Sequence, residues 1–422
     1  MNWSGIKENS LLAFETLAAH KFRAALTILG VFIGVLVVVA VAAVLNGFRQ
    51  TVIDNTESFG TRNVYLWRFP FIVTGRMPAS VRNRKPLTLD DAKALEEEVS
   101  AAQYVSPAIL YGLARPGEIP PELPEARYRD RVMSRPRVIA NFPVAELVVN
   151  RAVDHGRFFT DSENEHRAFV CVVAFNVTEA LFPAEDPIGK SINVFGHDFT
   201  VIGTLPKDRA GPFGSENPED NDLIVPYWTF RKMMPNFDDH FIVVQMREGR
   251  MKEGVRQVEQ VLRRRRQVGL FGDNDFDIGT ADMFISTFDS ILSVVFIATI
   301  GISSIAFMVG GVGVMNIMLV AVTERTREIG IRKAVGAKRS DIIWQFLTEA
   351  VALTGAGGLA GLLFGWVMSL AASALLPSLT MKIPVLAAIA GFVLSVMVGV
   401  LFGMWPAVKA ARLDPITALR YE

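Results

Sequence analysis

The sequence nearly lacks cysteine. Its single thiol, Cys171, excludes an internal disulfide framework and any CxxC redox or metal motif. Histidine is also scarce, and His20, His155, His166, His197 and His240 form no HxxxH or HxH pair that would mark a short-range zinc site. Charge of one sign is not in excess, since 43 Lys+Arg stand against 43 Asp+Glu. A nucleic-acid binder working through a global basic field is therefore not expected. No Ser/His/Asp spacing, zinc motif or intramembrane acid pair points to an enzyme.

The most informative absence is local. Residues 24–48, 290–323, 350–381 and 383–408 contain no Asp, Glu, Lys or Arg. An uncharged apolar run of about 18 residues or more reads as a membrane-spanning helix, because a helix satisfies its own backbone groups in lipid. The first run has 25 residues, whereas a signal-peptide core has only about 7 to 15, so an uncleaved anchor is expected. With no ionisable side chain at membrane depth, a channel or proton-coupled pathway is disfavoured.

Basic residues orient the chain. Segments 1–23, 324–349 and 409–422 hold three, six and three Lys+Arg, while the connection around Pro377 to Pro384 holds only Lys382. The positive-inside rule places those three segments in the cytoplasm, facing the lipid bilayer from within, and the large domain outside. Residues 1–23 are expected to form an interfacial amphipathic helix, with Leu11, Phe14, Ala18 and Phe22 at helical spacing. A first span over 24–48 precedes an extracytoplasmic domain over 49–287, and a second span covers 288–323. A cytoplasmic loop and helix over 324–345 leads to spans at 346–376 and 384–405, and 406–422 is a cytoplasmic tail. The fold class is thus a membrane protein with four transmembrane α-helices and a large mixed α/β domain inserted between the first and second.

Within that domain, Thr88 and Asp91 open a helix in capping-box form, with Ala92, Leu95 and Val99 on one face. Strands are expected at 167–175, at 191–203 with a hairpin turn at Gly196, and at 240–246. A second helix is expected from Lys252 to Arg266. The proline-rich stretches 115–128 and 211–222 read as loops.

Gly189, Lys190 and Ser191 mimic the end of a phosphate-binding loop. The position five residues before Gly189 is Ala184, and Asp186 and Pro187 interrupt the backbone that would cradle phosphate. No other ATP-binding sequence is present, so no cofactor is expected in this chain. Arg263–Arg266 read as the solvated last turn of a helix. Gly30/Gly34, Gly357/Gly361/Gly365 and Gly399/Gly403 recur at the four-residue spacing that lets membrane helices approach closely, within a chain or across a dimer.

The segment MNIMLVAVTERTREIGIRKAVGAKRSDIIWQFLTEA (315–350) and the C-terminal WPAVKAARLDPITALRYE (405–422) closely resemble the FtsX-like permease family of ABC transporters, in particular its macrolide-exporter type. The order of one span, a large outer domain and three further spans is similar to that type over essentially the whole chain. The resemblance implies a homodimer or paralogous heterodimer bound to ATPase domains that carry ATP and Mg. With no ATPase motif here, a separate ABC ATPase subunit is expected. The resemblance also implies an outer stalk on the second span, a periplasmic adaptor, an outer-membrane duct, and a multi-pass place in the bacterial inner membrane.

Residues 324–336 suit a surface that couples to that ATPase. Glu328 and Arg332 are spaced i,i+4, and Glu324 with Arg327 i,i+3, the spacings of helical ion pairs. Arg325 and Lys333 belong to the same charged set. Ile329, Ile331 and Val335 supply apolar area for insertion into a partner, while Gly330 and Gly336 permit a tight approach or a bend. Asp341, beside Ser340, marks the start of the helix into the third span. The expected function is a permease subunit that transmits ATP hydrolysis to the periplasmic domain and exports amphiphilic drugs, peptides, lipids or lipoproteins. The alternative is a signalling device of the cell-division type that activates an extracytoplasmic peptidoglycan hydrolase without moving solute.

Overall fold

The structure, a computed structural model, describes residues 21–58, 60–71, 77–112, 124–149, 152–208, 217–375 and 381–419, without the side chains of 21–27 and 55–58. The interfacial helix expected over 1–23 lies outside the described residues except for its last three, and so does much of both proline-rich stretches. The chain divides into two units, Met1–Gln50 with Phe288–Glu422, and Thr51–Thr287.

Helix α1 (Lys21–Ser58) carries the first apolar run. Then come β1 (Asn63–Trp67), α2 (Ala79–Arg82), α3 (Leu89–Glu98), β2 (Ala102–Tyr111), β3 (Glu125–Tyr128), β4 (Arg131–Ser134) and β5 (Arg137–Asn141). They are followed by α4 (Ala145–Val148), β6 (His155–Gly156), α5 (Asp161–Glu165), β7 (Val170–Val173), α6 (Phe175–Leu181), β8 (Ser191–Val194) and β9 (His197–Thr204). The domain closes with β10 (Asp222–Pro226), α7 (Tyr227–Met233), β11 (His240–Met246), α8 (Met251–Arg265) and β12 (Asp277–Thr280).

The strands join in the order β12-β1-β11-β2-β5-β10-β7-β9-β8-β3-β4, with β6 on β9. Only β5 with β10 and β7 with β9 run parallel among the described pairs. Alternation along each strand feeds opposite faces. On β10, Leu223 and Val225 enter one core with Cys171 and Val173 of β7, while Ile224 and Val172 enter another. A further core unites Val64 and Leu66 of β1 and Ile242 and Val244 of β11 with Leu95 of α3 and Val258 and Leu262 of α8.

Local signals act where the sequence places them. The Thr88 hydroxyl accepts from the Asp91 amide at 3.2 Å, and the Asp91 carboxylate accepts from the Thr88 amide at 3.0 Å, closing the capping box of α3. The β8–β9 hairpin turns through Phe195 and Gly196, with φ of 53° and 77°, the paired positive values of a tight two-residue hairpin turn.

Other expectations are corrected. The strand expected over 167–175 covers only Val170–Val173, because Phe175 opens α6. Glu125–Tyr128, read as loop, is strand β3, pairing with β4 and β8. Arg264 and Arg265 stay exposed, as a solvated turn should, but all four arginines also have partners. Arg264 pairs with Glu98 of α3, Arg265 with Asp91, and Arg266 with Asp91 and Asp275. Arg263 donates to the carbonyls of Gly269 and Gly272. The run staples α8 to α3 through carboxylates far away in sequence. Lys190 of the phosphate-loop mimic pairs with Glu185 and lies over the rings of Tyr128 and Phe182.

In the other unit, α9 (Ala281–Glu324) is followed by α10 (Thr326–Ala334), α11 (Arg339–Leu375), α12 (Val385–Ala411) and α13 (Pro415–Leu419). Among the described residues, four helices are long and apolar enough to cross a membrane: α1 over Ile28–Asp54, α9, α11 and α12. With 44 residues, α9 runs about 66 Å at about 1.5 Å per residue, twice the hydrocarbon core of about 30 Å.

The glycines at four-residue spacing meet neighbouring helices of the same chain. A Cβ on Gly30 would stand 2.8 Å from the Cα of Gly310 on α9, and one on Gly34 3.0 Å from the Phe307 ring. On α11, a Cβ on Gly357 or Gly361 would stand 3.1 or 2.8 Å from the carbonyl oxygen of Ile28 or Phe32, and one on Gly365 3.3 Å from the Val39 side chain. Gly399 and Gly403 of α12 face Thr354 and Ala350 of α11. Just past the charge-free runs, Arg49 forks onto Asp289 at 2.7 and 3.2 Å, tying α1 to α9.

Candidate coupling surface

Arg325 breaks the helix between α9 and α10, with φ −101° and ψ 18°. The short helix that follows has two faces, as the 3.6-residue period dictates. Thr326, Ile329 and Gly330 are buried. Glu324, Arg327, Glu328, Ile331 and Val335 are exposed and recur three or four residues apart along one stripe.

The inward face is locked. Ile329, 2% exposed, packs in a core with Val314 and Met318 of α9, Phe346 of α11 and Ala407 of α12. A Cβ on Gly330 would stand 2.8 Å from that of Ala418 on α13. The Lys333 ammonium donates to the carbonyl of Ala411 at 2.9 Å and to that of Leu413, so it caps the end of α12 where the helix dipole favours a cation. The Nη1 of Arg325 donates to both carboxylate oxygens of the buried Glu349 of α11, at 3.2 and 3.4 Å.

The sequence reading put Arg325, Ile329, Gly330 and Lys333 on a surface facing a partner. The structure turns all four toward α11, α12 and α13 of the same chain. Ile329 and Ile331 look alike in the sequence, but two residues rotate a helix by about 200°, so they lie on opposite faces.

Outward, Ile331 is 48% and Val335 85% exposed. Arg332 sits between the faces and donates to Glu328 at i,i+4 and to Gln345 of α11. Gly336 ends the helix with φ of +107°. Its amide donates to the Lys333 carbonyl at 3.1 Å and that of Ala337 to the Arg332 carbonyl at 3.0 Å, the Schellman pattern. Nothing lies within 4 Å of a Cβ placed there, so Gly336 serves the bend and no close approach inside the chain. The Asp341 carboxylate accepts from the Lys338 amide at 2.9 Å and caps α11.

Sequence reasoning missed the contribution of α13. Its Ile416 and Leu419 are 69% and 45% exposed, and the Leu419 amide nitrogen lies 3.5 Å from the Cβ position of Gly330, beside α10. The signal was available: Asp414 caps the segment through Thr417, and Ile416 and Leu419 stand i,i+3.

Among the described residues, four apolar helices and an α/β domain inserted between the first and second define a multi-pass membrane protein with a large domain outside the spans. The MacB-like periplasmic core domain matches residues 24–261, and the FtsX-like permease C-terminal domain matches residues 300–415. The chain is 34% identical to the macrolide export ATP-binding/permease protein MacB of Bdellovibrio bacteriovorus, over 97% of this chain and 61% of that protein. It is 33% identical to the pyoverdine export ATP-binding/permease protein PvdT of Pseudomonas syringae pv. syringae, over 97% of this chain and 59% of that protein. A crystal structure of the periplasmic region of MacB from Actinobacillus actinomycetemcomitans matches with a TM-score of 0.43 and 17% identity, over 56% of this chain and 97% of that one. The chain belongs to the MacB-like, FtsX-type family of ABC transporter permeases. It spans about three-fifths of the length of these curated relatives.

Proposed function

We propose that this chain is the membrane-embedded and periplasmic part of an ATP-driven exporter of amphiphilic molecules, and that the outward face of α10 receives an ABC ATPase holding ATP and Mg. The division of α10 into two faces carries this reading. Ile331 and Val335 offer apolar area beside Arg327 and Glu328, an apolar centre with a charged rim, which is the usual anatomy of a protein interface. On the other face, Ile329, Lys333 and the Gly330–Ala418 contact fasten α10 to α11, α12 and α13. A push on α10 therefore displaces the helices together.

Helix α9 carries the displacement outward. It is unbroken from Glu324 to Ala281, and β12 of the periplasmic domain ends at the residue before it. Export is supported by what the relatives' names say of those proteins. The charge-free spans support uptake on the periplasmic side over passage through a polar channel. A dimer, an inner-membrane location, an adaptor and an outer-membrane duct complete the proposal on the strength of the family. The test is co-purification of the ATPase with wild type and with Ile331→Asp, followed by ATP turnover of the complex. Loss of both in the variant, with an unchanged melting temperature, is the expected result.

A further inference from the structure

A cleft of about 590 Å³ opens in the periplasmic domain beside α8, β12 and the first turn of α9. Small-molecule sites usually enclose roughly 300–1,000 Å³. Met251 and Val255 of α8, Phe276 and Ile278 around β12, and Met283 of α9 give the cleft an apolar lining. Phe276 is buried at 2% and Met283 is 41% exposed, as floor and rim should be. The two methionines are unbranched and adapt to varied apolar shapes.

The charges along the same cleft are unbalanced. Glu259, Asp273, Asp277 and Asp282 stand against Arg84 and Lys252. Glu259 accepts from the Asn274 side-chain amide at 3.0 Å and Asp277 from the Phe71 amide at 2.9 Å, both neutral donors. Asp273 and Asp282 have no polar side-chain partner among the described residues. One solvated carboxylate at a helix start is ordinary, since it complements the dipole. Here four acids against two bases border an apolar floor.

We infer that this cleft binds an amphiphilic cation, an apolar body carrying an ammonium or similar group. The inference rests on the export reading and names the chemical class of its cargo. An anion would meet a lining with more acids than bases, and a neutral amphiphile would gain nothing from that charge. Asp282 and Met283 lie in the first turn of α9. An occupant therefore touches both the body of the domain and the first turn of α9.

The experiment uses the full chain in nanodiscs of zwitterionic phosphatidylcholine, with empty nanodiscs subtracted. Fluorescence anisotropy is followed for rhodamine 6G, an amphiphilic cation, and for 8-anilinonaphthalene-1-sulfonate, an amphiphilic anion. The expected result is saturable binding of the cation alone, weakened about tenfold by Asp273→Asn with Asp282→Asn and relieved by high salt. Met283→Lys, which places a cation on the rim, should weaken binding at least as much. All three positions are exposed, so each variant should keep the wild-type melting temperature.

Equal affinity for the anion, absence of saturable cation binding, or wild-type affinity in both variants would overturn the assignment. ATPase assembly is measured on the same preparations. If cation binding ignores the variants while the ATPase still assembles on α10, the cleft assignment fails and the export reading stands. If cation binding follows the variants but no ATPase assembles, the export reading fails and the cleft remains a cation site.

Discussion

Gly330 and Ala418 hold α10 and α13 together: a Cβ added to Gly330 would meet that of Ala418 at 2.8 Å. Gly330→Ala should therefore cost about 1 to 3 kcal/mol through overpacking. Adding Ala418→Gly should recover part of that loss, less about 1 kcal/mol for a helical glycine. Thermal unfolding of the four members of the cycle reads the coupling. Strict additivity would show that the two helices do not meet.

Arg325 and Glu349 make the second intramolecular anchor. Glu349 is 5% exposed and its carboxylate accepts from the Arg325 Nη1. Arg325→Met should destabilise the chain by about 3 kcal/mol or more, because it leaves a buried acid without its cation. Arg325→Met with Glu349→Leu should recover most of this. Melting temperatures of the single and double variants decide it, and an unaffected single variant would rule the anchor out.

The spans, the cap of α3 and the β8–β9 hairpin were legible because their signals are local. Lipid penalises any charge in a span wherever its neighbours lie, and Thr88 with Asp91 or Phe195 with Gly196 act within four residues of each other. The use of the arginines was not legible. Arg266, its side chain 7% exposed, finds Asp91 at a separation of 175 residues, and no local pattern distinguishes it from the exposed Arg264 two positions earlier. The coupling segment was legible as a segment but not as two faces. Choosing between Ile329 and Ile331 requires knowing that α13 returns to cover Gly330, and only the folded chain brings it there.

Gly336 allows a sharp distinction between bending and close approach. Its φ of +107° disfavours any L side chain, while the space around it is open. Gly336→Ala should cost about 1 to 2 kcal/mol, and Gly336→Asn less, because asparagine tolerates left-handed backbone better than alanine does. Unfolding temperatures ranking Gly, then Asn, then Ala would agree. Equal losses for Asn and Ala would contradict a conformational cause.

His240 should make the periplasmic domain sensitive to acid. Its Nδ1 donates to the Leu87 carbonyl at 3.0 Å and its Nε2 accepts from the Tyr227 hydroxyl at 2.8 Å. Asp238 lies 3.6 Å away and itself faces Arg231 at 3.5 Å. Burial holds the imidazole below its ordinary value of 6.5 and pushes the Tyr227 phenol up to about 12. The unfolded chain therefore takes a proton that the folded chain refuses. Stability is full above about pH 6.5 and falls, by at most about 1.4 kcal/mol per pH unit, as pH drops toward the folded value. Melting curves of wild type and His240→Gln between about pH 8 and pH 5 should diverge in that window, the variant showing the shallower slope. Parallel curves would remove His240 as the cause.

The most direct test contrasts the two faces of α10. Ile331→Asp and Val335→Asp change only exposed positions, whereas Ile329→Ala empties a site in the core shared by α9, α11 and α12. Each variant is expressed with the ATPase, and co-purification, ATP turnover and the melting temperature of the chain are measured together. The account predicts that both outward variants lose the ATPase and its turnover at unchanged melting temperature. It also predicts that Ile329→Ala lowers the melting temperature, at a cost of about 2 to 5 kcal/mol. Full assembly and turnover in the doubly substituted Ile331→Asp, Val335→Asp chain would contradict it and leave α10 as a membrane-surface anchor.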